Sequence, residues 1–83
     1  MIEDLGKGWI RFYMDNYEVM AQVFSEGSKY GIDNGPISKL CITNIDTNEW
    51  IVNYDRGWDV YPDNDNCILY EDAISQINGY LGY

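Results

Sequence analysis

The 83-residue chain has no histidine, only two cysteines and two prolines, and only five Lys and Arg against 14 Asp and Glu. The missing histidine removes the commonest general base and the commonest metal ligand, leaving carboxylates, tyrosines and two thiols for any chemistry. No enzyme activity, cofactor or metal is expected. A formal charge of minus 9 leaves no broad positive face to neutralise a phosphate backbone, which argues against direct binding of DNA or RNA. No run of about 18 apolar residues is present. Glu3, Asp4, Arg11, Asp15 and Glu18 interrupt the early segment where an export signal needs uninterrupted apolar residues. A cytoplasmic protein without a membrane segment is the expectation. Neither Cys41 nor Cys67 sits in a Cys-x-x-Cys spacing, and in a reducing compartment Cys41 reads as a buried strand residue.

Apolar residues nevertheless make up 46% of the chain and aromatics 16%, too much to stay unfolded despite the charge. The length suits a single domain, residues 1–83. Ile10, Phe12 and Met14 alternate with Trp9, Arg11 and Tyr13; beyond Asp15-Asn16, Tyr17, Val19, Ala21 and Val23 alternate with Glu18, Met20, Gln22 and Phe24. This period of two on both sides of a turn dipeptide predicts a β-hairpin with one apolar face. The other face is mixed, which suggests partial cover. Residues 25–36 collect Ser, Gly, Asp and Asn and read as a long loop with too few apolar residues for the core. Ile37–Asn44 and Glu49–Tyr54, reversed at Asp46-Thr47-Asn48, predict a second hairpin. Residues 55–66 read as irregular. From Tyr70, the stripe of Ala73, Ile74, Ile77, Tyr80 and Leu81 predicts a helix of about twelve residues, with Glu71 and Asp72 in its first turn and Gly82 as its stop. The expected fold is α+β: a four-stranded antiparallel sheet of two hairpins with one C-terminal helix packed on one face.

Between positions 55 and 72, Asp55, Asp59, Asp63, Asp65, Glu71 and Asp72 oppose only Arg56. Carboxylates spaced along a turn and a helix start can imitate a row of phosphates before a protein groove built for nucleic acid. Trp58, Tyr61 and Tyr70 are interleaved with them, and aromatic anchors carry much of the energy of an interface. Asp55, Trp58, Asp59, Tyr61, Asp63, Asp65, Glu71 and Asp72 are therefore the candidate contact residues, beside the plain alternative of a solvated loop. The likeness of Asp63 and Asp65 to a calcium loop fails on detail. An EF-hand needs glycine at its sixth position and Glu at its twelfth, and counting from Asp63 those places hold Ile68 and Ile74. Arg56 is expected to pin its turn, forking onto Asp55 and Asp59 or stacking on Trp58.

The runs Tyr30-Gly31-Ile32, Ile37-Ser38-Lys39-Leu40 and Trp50-Ile51-Val52-Asn53-Tyr54-Asp55-Arg56-Gly57-Trp58-Asp59 resemble a family of small proteins encoded by phages and prophages of Gram-positive bacteria. The resemblance spans residues 8–59, is most specific at Asn53-Tyr54-Asp55-Arg56-Gly57-Trp58, and brings no activity or residue roles with it. In size and acidity, though not in motif, the chain is also similar to anti-CRISPR proteins, small phage products that block a nuclease's nucleic-acid groove. The leading expectation is an acidic inhibitor of a host defence complex whose partner is a host protein with a basic surface, such as a CRISPR effector nuclease. A second reading is a homodimer formed through Trp9, Tyr13, Met20 and Phe24. A third is a sponge for a nucleotide-like signal. For an anionic ligand, Lys7, Arg11, Lys29, Lys39 and Arg56 would have to converge from distant parts of the chain.

Overall fold

The alternating residues 9–23 form the expected hairpin in the structure, a computed structural model that describes residues 1–82. Its arms are β2 (Trp9–Met14) and β3 (Tyr17–Val23), preceded by β1 (Glu3–Gly6). Met14 lies opposite Tyr17 across the two-residue turn, where Asp15 takes the left-handed conformation at φ 52°. The second hairpin joins β4 (Ile37–Asn44) to β5 (Trp50–Asp55), followed by β6 (Trp58–Val60) and α1 (Cys67–Leu81). The strands pair antiparallel in chain order from β1 to β6. The sheet therefore has six strands rather than four.

The two extra strands carry no periodic signal because they are short and lie at the edges. All four residues of β1 are exposed. It is turned back onto β2 by Gly6, Lys7 and Gly8, all at positive φ, and an ion pair of 3.0 Å joins Glu3 to Arg11. Such exposed pairs contribute little, so the strand is held mainly by its ladder. β6 has only three residues inside what composition marks as irregular.

One face of the sheet forms the core. Across the middle strands, Ile10, Ala21, Leu40 and Tyr54 make one row, and Phe12, Val19, Ile42 and Val52 the next. All eight are buried, and Ala73 and Ile77 of α1 close over them without exposure. Leu69, Tyr70, Ile74 and Leu81 pack around this centre, whereas Tyr80, expected in the stripe, stays largely exposed. The helix begins at Cys67, three residues before the expected start, because Asp63 Oδ1 accepts hydrogen bonds from the backbone and side-chain nitrogens of Asn66 and sets the first turn early. Glu71 and Asp72 consequently fall in the second turn. Gly82, at φ 72°, ends the helix as expected.

The 25–36 loop also differs from expectation, since it contributes to the core. Ile32 is buried in a short turn at Ile32–Asn34, and Gly31 and Pro36 are buried beside it. Backbone hydrogen bonds from Ser28 to Gly35, Gly31 to Ser28, Gly35 to Ile32 and Phe24 to Pro36 hold the loop as a folded unit. The uncovered face of the sheet presents Trp9, Arg11, Met20, Lys39 and Asn53, each half-buried by its lateral neighbours rather than by a covering element. Cys41 lies half-buried on this face as well, not in the core.

Candidate functional site

β5 ends at Asp55, and the chain turns at Arg56 with φ 59°, a left-handed conformation that costs a residue bearing Cβ about 1 kcal/mol or more. The turn is fixed by Arg56 N–H donating to the Ser38 carbonyl at 2.9 Å and Asp55 N–H to the Gly57 carbonyl at 2.9 Å. Trp58 then returns beside Tyr54 with ring centroids 5.1 Å apart, edge to face. Tyr61 stacks on the Trp58 indole at 4.5 Å, and Tyr70 of α1 meets it edge-on at 5.6 Å. Pairs of this kind add about 0.5–1.5 kcal/mol each beyond the area they bury, and here they tie the edge strand to the helix. Trp58 is therefore half-buried, and the ring that reaches solvent is Tyr61, 68% exposed.

The six carboxylates do not all remain free. Asp55 Oδ1 lies 3.7 Å from Lys39 Nζ, and Asp63 is engaged by Asn66. Asp59 on β6, Asp65 before the helix, and Glu71 and Asp72 on its outer side are exposed and in no ion pair among the described residues. Ile68, one turn before Asp72 and 75% exposed, lies among the helix carboxylates. Burial, aided by the negative charge of Asp33, pushes the Tyr70 hydroxyl up from 10.0 to about 12. The unfolded chain would release that proton near pH 10, the folded chain only near pH 12, so stability should fall as pH rises through this interval. Chemical denaturation followed at several pH values should show that loss, and Tyr70→Phe should flatten it.

A second site lies where the 25–36 loop meets the ends of β3, β4 and β5. A cleft of about 410 Å³ opens there, with Phe24 and Tyr30 on the loop side and Gln22, Lys39 and Arg56 on the sheet side. The Arg56 guanidinium lies 4.8 Å from the Tyr30 ring centroid and the Lys29 ammonium 5.1 Å. Arg56 thus stacks on Tyr30, not on Trp58, and no ion pair joins it to Asp55 or Asp59. Tyr54 OH donates to the Tyr30 carbonyl at 2.7 Å, fastening this part of the loop to the core. Three of the five cations, Lys29, Lys39 and Arg56, converge at one place despite their separation in the chain. The strand register brings this about, because Lys39 pairs with Asp55 and so sets Arg56 beside Ser38. Counting outward from the Asp46–Asn48 turn would have revealed that pairing. Of the residues Trp9, Tyr13, Met20 and Phe24, the register sets the first three on the uncovered face of β2 and β3. Trp9 and Met20 share a shallow hollow with Leu5, Phe24 lines the cleft, and Tyr13 OH donates to Glu18 at 3.3 Å.

A family model described as a domain of unknown function, DUF7678, matches residues 7–78. The chain belongs to the DUF7678 family. No curated protein and no solved structure matches it. The DUF7678 match runs from the β1–β2 turn into the last turns of α1, and so takes in both the acidic helix and the cleft. Among the described residues of this DUF7678 protein, no group of three or more Cys, Asp or Glu is placed to hold a metal ion, and no helix is long and apolar enough to cross a membrane.

Proposed function

We propose that this DUF7678 protein is a non-catalytic, phage-encoded binding module whose exposed carboxylates between positions 59 and 72 dock on a basic surface of a host protein. The nucleic-acid groove of a defence nuclease, most concretely a CRISPR effector, has the chemistry such carboxylates would fit. The reading is carried by one observation: Asp59, Asp65, Glu71 and Asp72 stay exposed and free of ion pairs among the described residues, in a chain of net charge minus 9. Tyr61 and Ile68 supply exposed apolar surface in the same part of the chain, and rings and aliphatic side chains ringed by charge are the usual make-up of an interface centre and its rim. The charges would speed encounter and select the partner, with the apolar residues holding the complex.

Exposed charges are screened beyond roughly 10 Å at 0.1 M salt, so affinity for a candidate effector should fall about tenfold or more between low and high ionic strength. Replacing Asp59 and Asp65 with Asn, Glu71 with Gln and Asp72 with Asn should reduce both the affinity at low salt and its salt dependence while leaving the melting temperature nearly unchanged, because none of the four is engaged in the fold. Calorimetry at two ionic strengths measures both effects. A salt-independent affinity, equal for the two proteins, would remove the electrostatic reading.

A further inference from the structure

We propose that the cleft between the 25–36 loop and the sheet binds a small planar ring bearing one anionic group and one hydrogen-bond donor. This site is separate from the exposed carboxylates between positions 59 and 72 and does not depend on the function proposed for them. Its volume of about 410 Å³ falls within the range of small-molecule sites, roughly 300–1,000 Å³. Arg56 lines the cleft together with Lys39, which is ion-paired with Asp55, and Lys29 lies close behind on Tyr30. Arg56 presents a planar fork of five N–H donors with no carboxylate partner among the described residues. That fork matches a phosphate or carboxylate in two parallel hydrogen bonds. The backbone at Arg56 takes the left-handed conformation of the tight β5–β6 turn, and its bond to Ser38 fixes the point from which the side chain starts.

The remaining walls define the rest of the ligand. Phe24, 52% exposed, lines the cleft, and its ring is the surface on which a flat group would stack. Glu26 on the same cleft opposes a second negative charge and accepts from a donor such as an amino group or a sugar hydroxyl. The loop that carries Phe24, Glu26 and Tyr30 is already folded by its own hydrogen bonds, so little ordering cost accompanies binding.

Two probes carry all three features, adenosine 5′-monophosphate and 4-aminobenzoate; adenosine and inorganic phosphate each carry only part of them. In an amide NMR titration of the full chain, at least one probe should shift Phe24, Tyr30, Ser38 and Arg56 saturably, and adenosine and phosphate should bind about tenfold more weakly or less, as expected for loss of a charged hydrogen bond. Arg56→Gly should leave the melting temperature within a few degrees, since relief of the left-handed conformation at φ 59° offsets the lost stacking on Tyr30, and weaken the probe about tenfold. Phe24→Ala, at an exposed ring, should weaken it several-fold and serves as a second, independent variant. No saturable shift at these residues with either probe at about 5 mM, a concentration that reveals any Kd in the low millimolar range, overturns the proposal. So does unaltered binding by both variants, or phosphate alone binding as tightly as the probe.

Discussion

Gly31→Ala should destabilise the protein by about 3 kcal/mol, the upper part of the range for an added atom in a closed space. For a domain of this size that corresponds to a fall in melting temperature of about 15 °C. The backbone of Gly31 has an ordinary extended conformation, φ −81° and ψ 158°, so the requirement for glycine does not come from a left-handed dihedral. It comes from proximity: a Cβ at this position would lie 1.9 Å from the Gly35 carbonyl oxygen and 3.3 Å from that of Ile37. Neither is a side chain that can swing aside, because Gly35 receives Ser28 N–H and Ile37 is a buried strand residue. The loop would have to open, withdrawing Ile32 from the core and displacing Tyr30. Thermal melting by circular dichroism checks the stability, and the emission or exchange behaviour of the loop checks the route. A Gly31→Ala protein that melts within about 2 °C of the parent, roughly the effect of a neutral surface change, would contradict this packing.

Trp58→Ala should cost about 3 kcal/mol, the lower end for removal of a large aromatic side chain because the indole is half-buried rather than enclosed. The loss is spread over three rings: Tyr54 and Tyr70 lose an edge contact and Tyr61 its stacking partner. β6 would then be held to the sheet by its few ladder bonds alone, and its junction with α1 would loosen. Trp58→Phe should recover about half of the loss. Tyr61→Ala removes an exposed ring and should cost less than about 1 kcal/mol, while weakening a partner that contacts this stretch. Comparing the two variants for melting temperature and for affinity separates the roles: Trp58 supports the surface and Tyr61 forms part of it. Lost binding by Trp58→Ala with unaltered melting would reverse that assignment.

The parts of the fold legible in the sequence are those with enough residues to show a period. Trp9–Met14 and Tyr17–Val23 alternate over six and seven positions, and the helix repeats its apolar residues over four turns, so both declare themselves. Glu3–Gly6 and Trp58–Val60 are too short, and the first buries nothing. The burial of Ile32 was hidden for a different reason. A single apolar residue among Ser, Gly, Asp and Asn looks like a loop until the hydrogen bonds that turn it inward are known. In the acidic stretch, composition located the carboxylates but not their fates, since the pairing of Asp55 with Lys39 depends on strand register and the use of Asp63 on the early start of the helix. The cleft was least visible, as its residues lie at positions 22–39 and at 56 and only the β4–β5 pairing joins them.

Competition with nucleic acid separates occupation of the groove from binding elsewhere on a nuclease. A labelled oligonucleotide bound to the groove of a host effector nuclease can be titrated with the protein and its anisotropy followed. Displacement of the oligonucleotide, with mutually exclusive occupancy and loss of the effect when Asp59, Asp65, Glu71 and Asp72 are neutralised, is the predicted result. A stable ternary complex of nuclease, oligonucleotide and protein would contradict it.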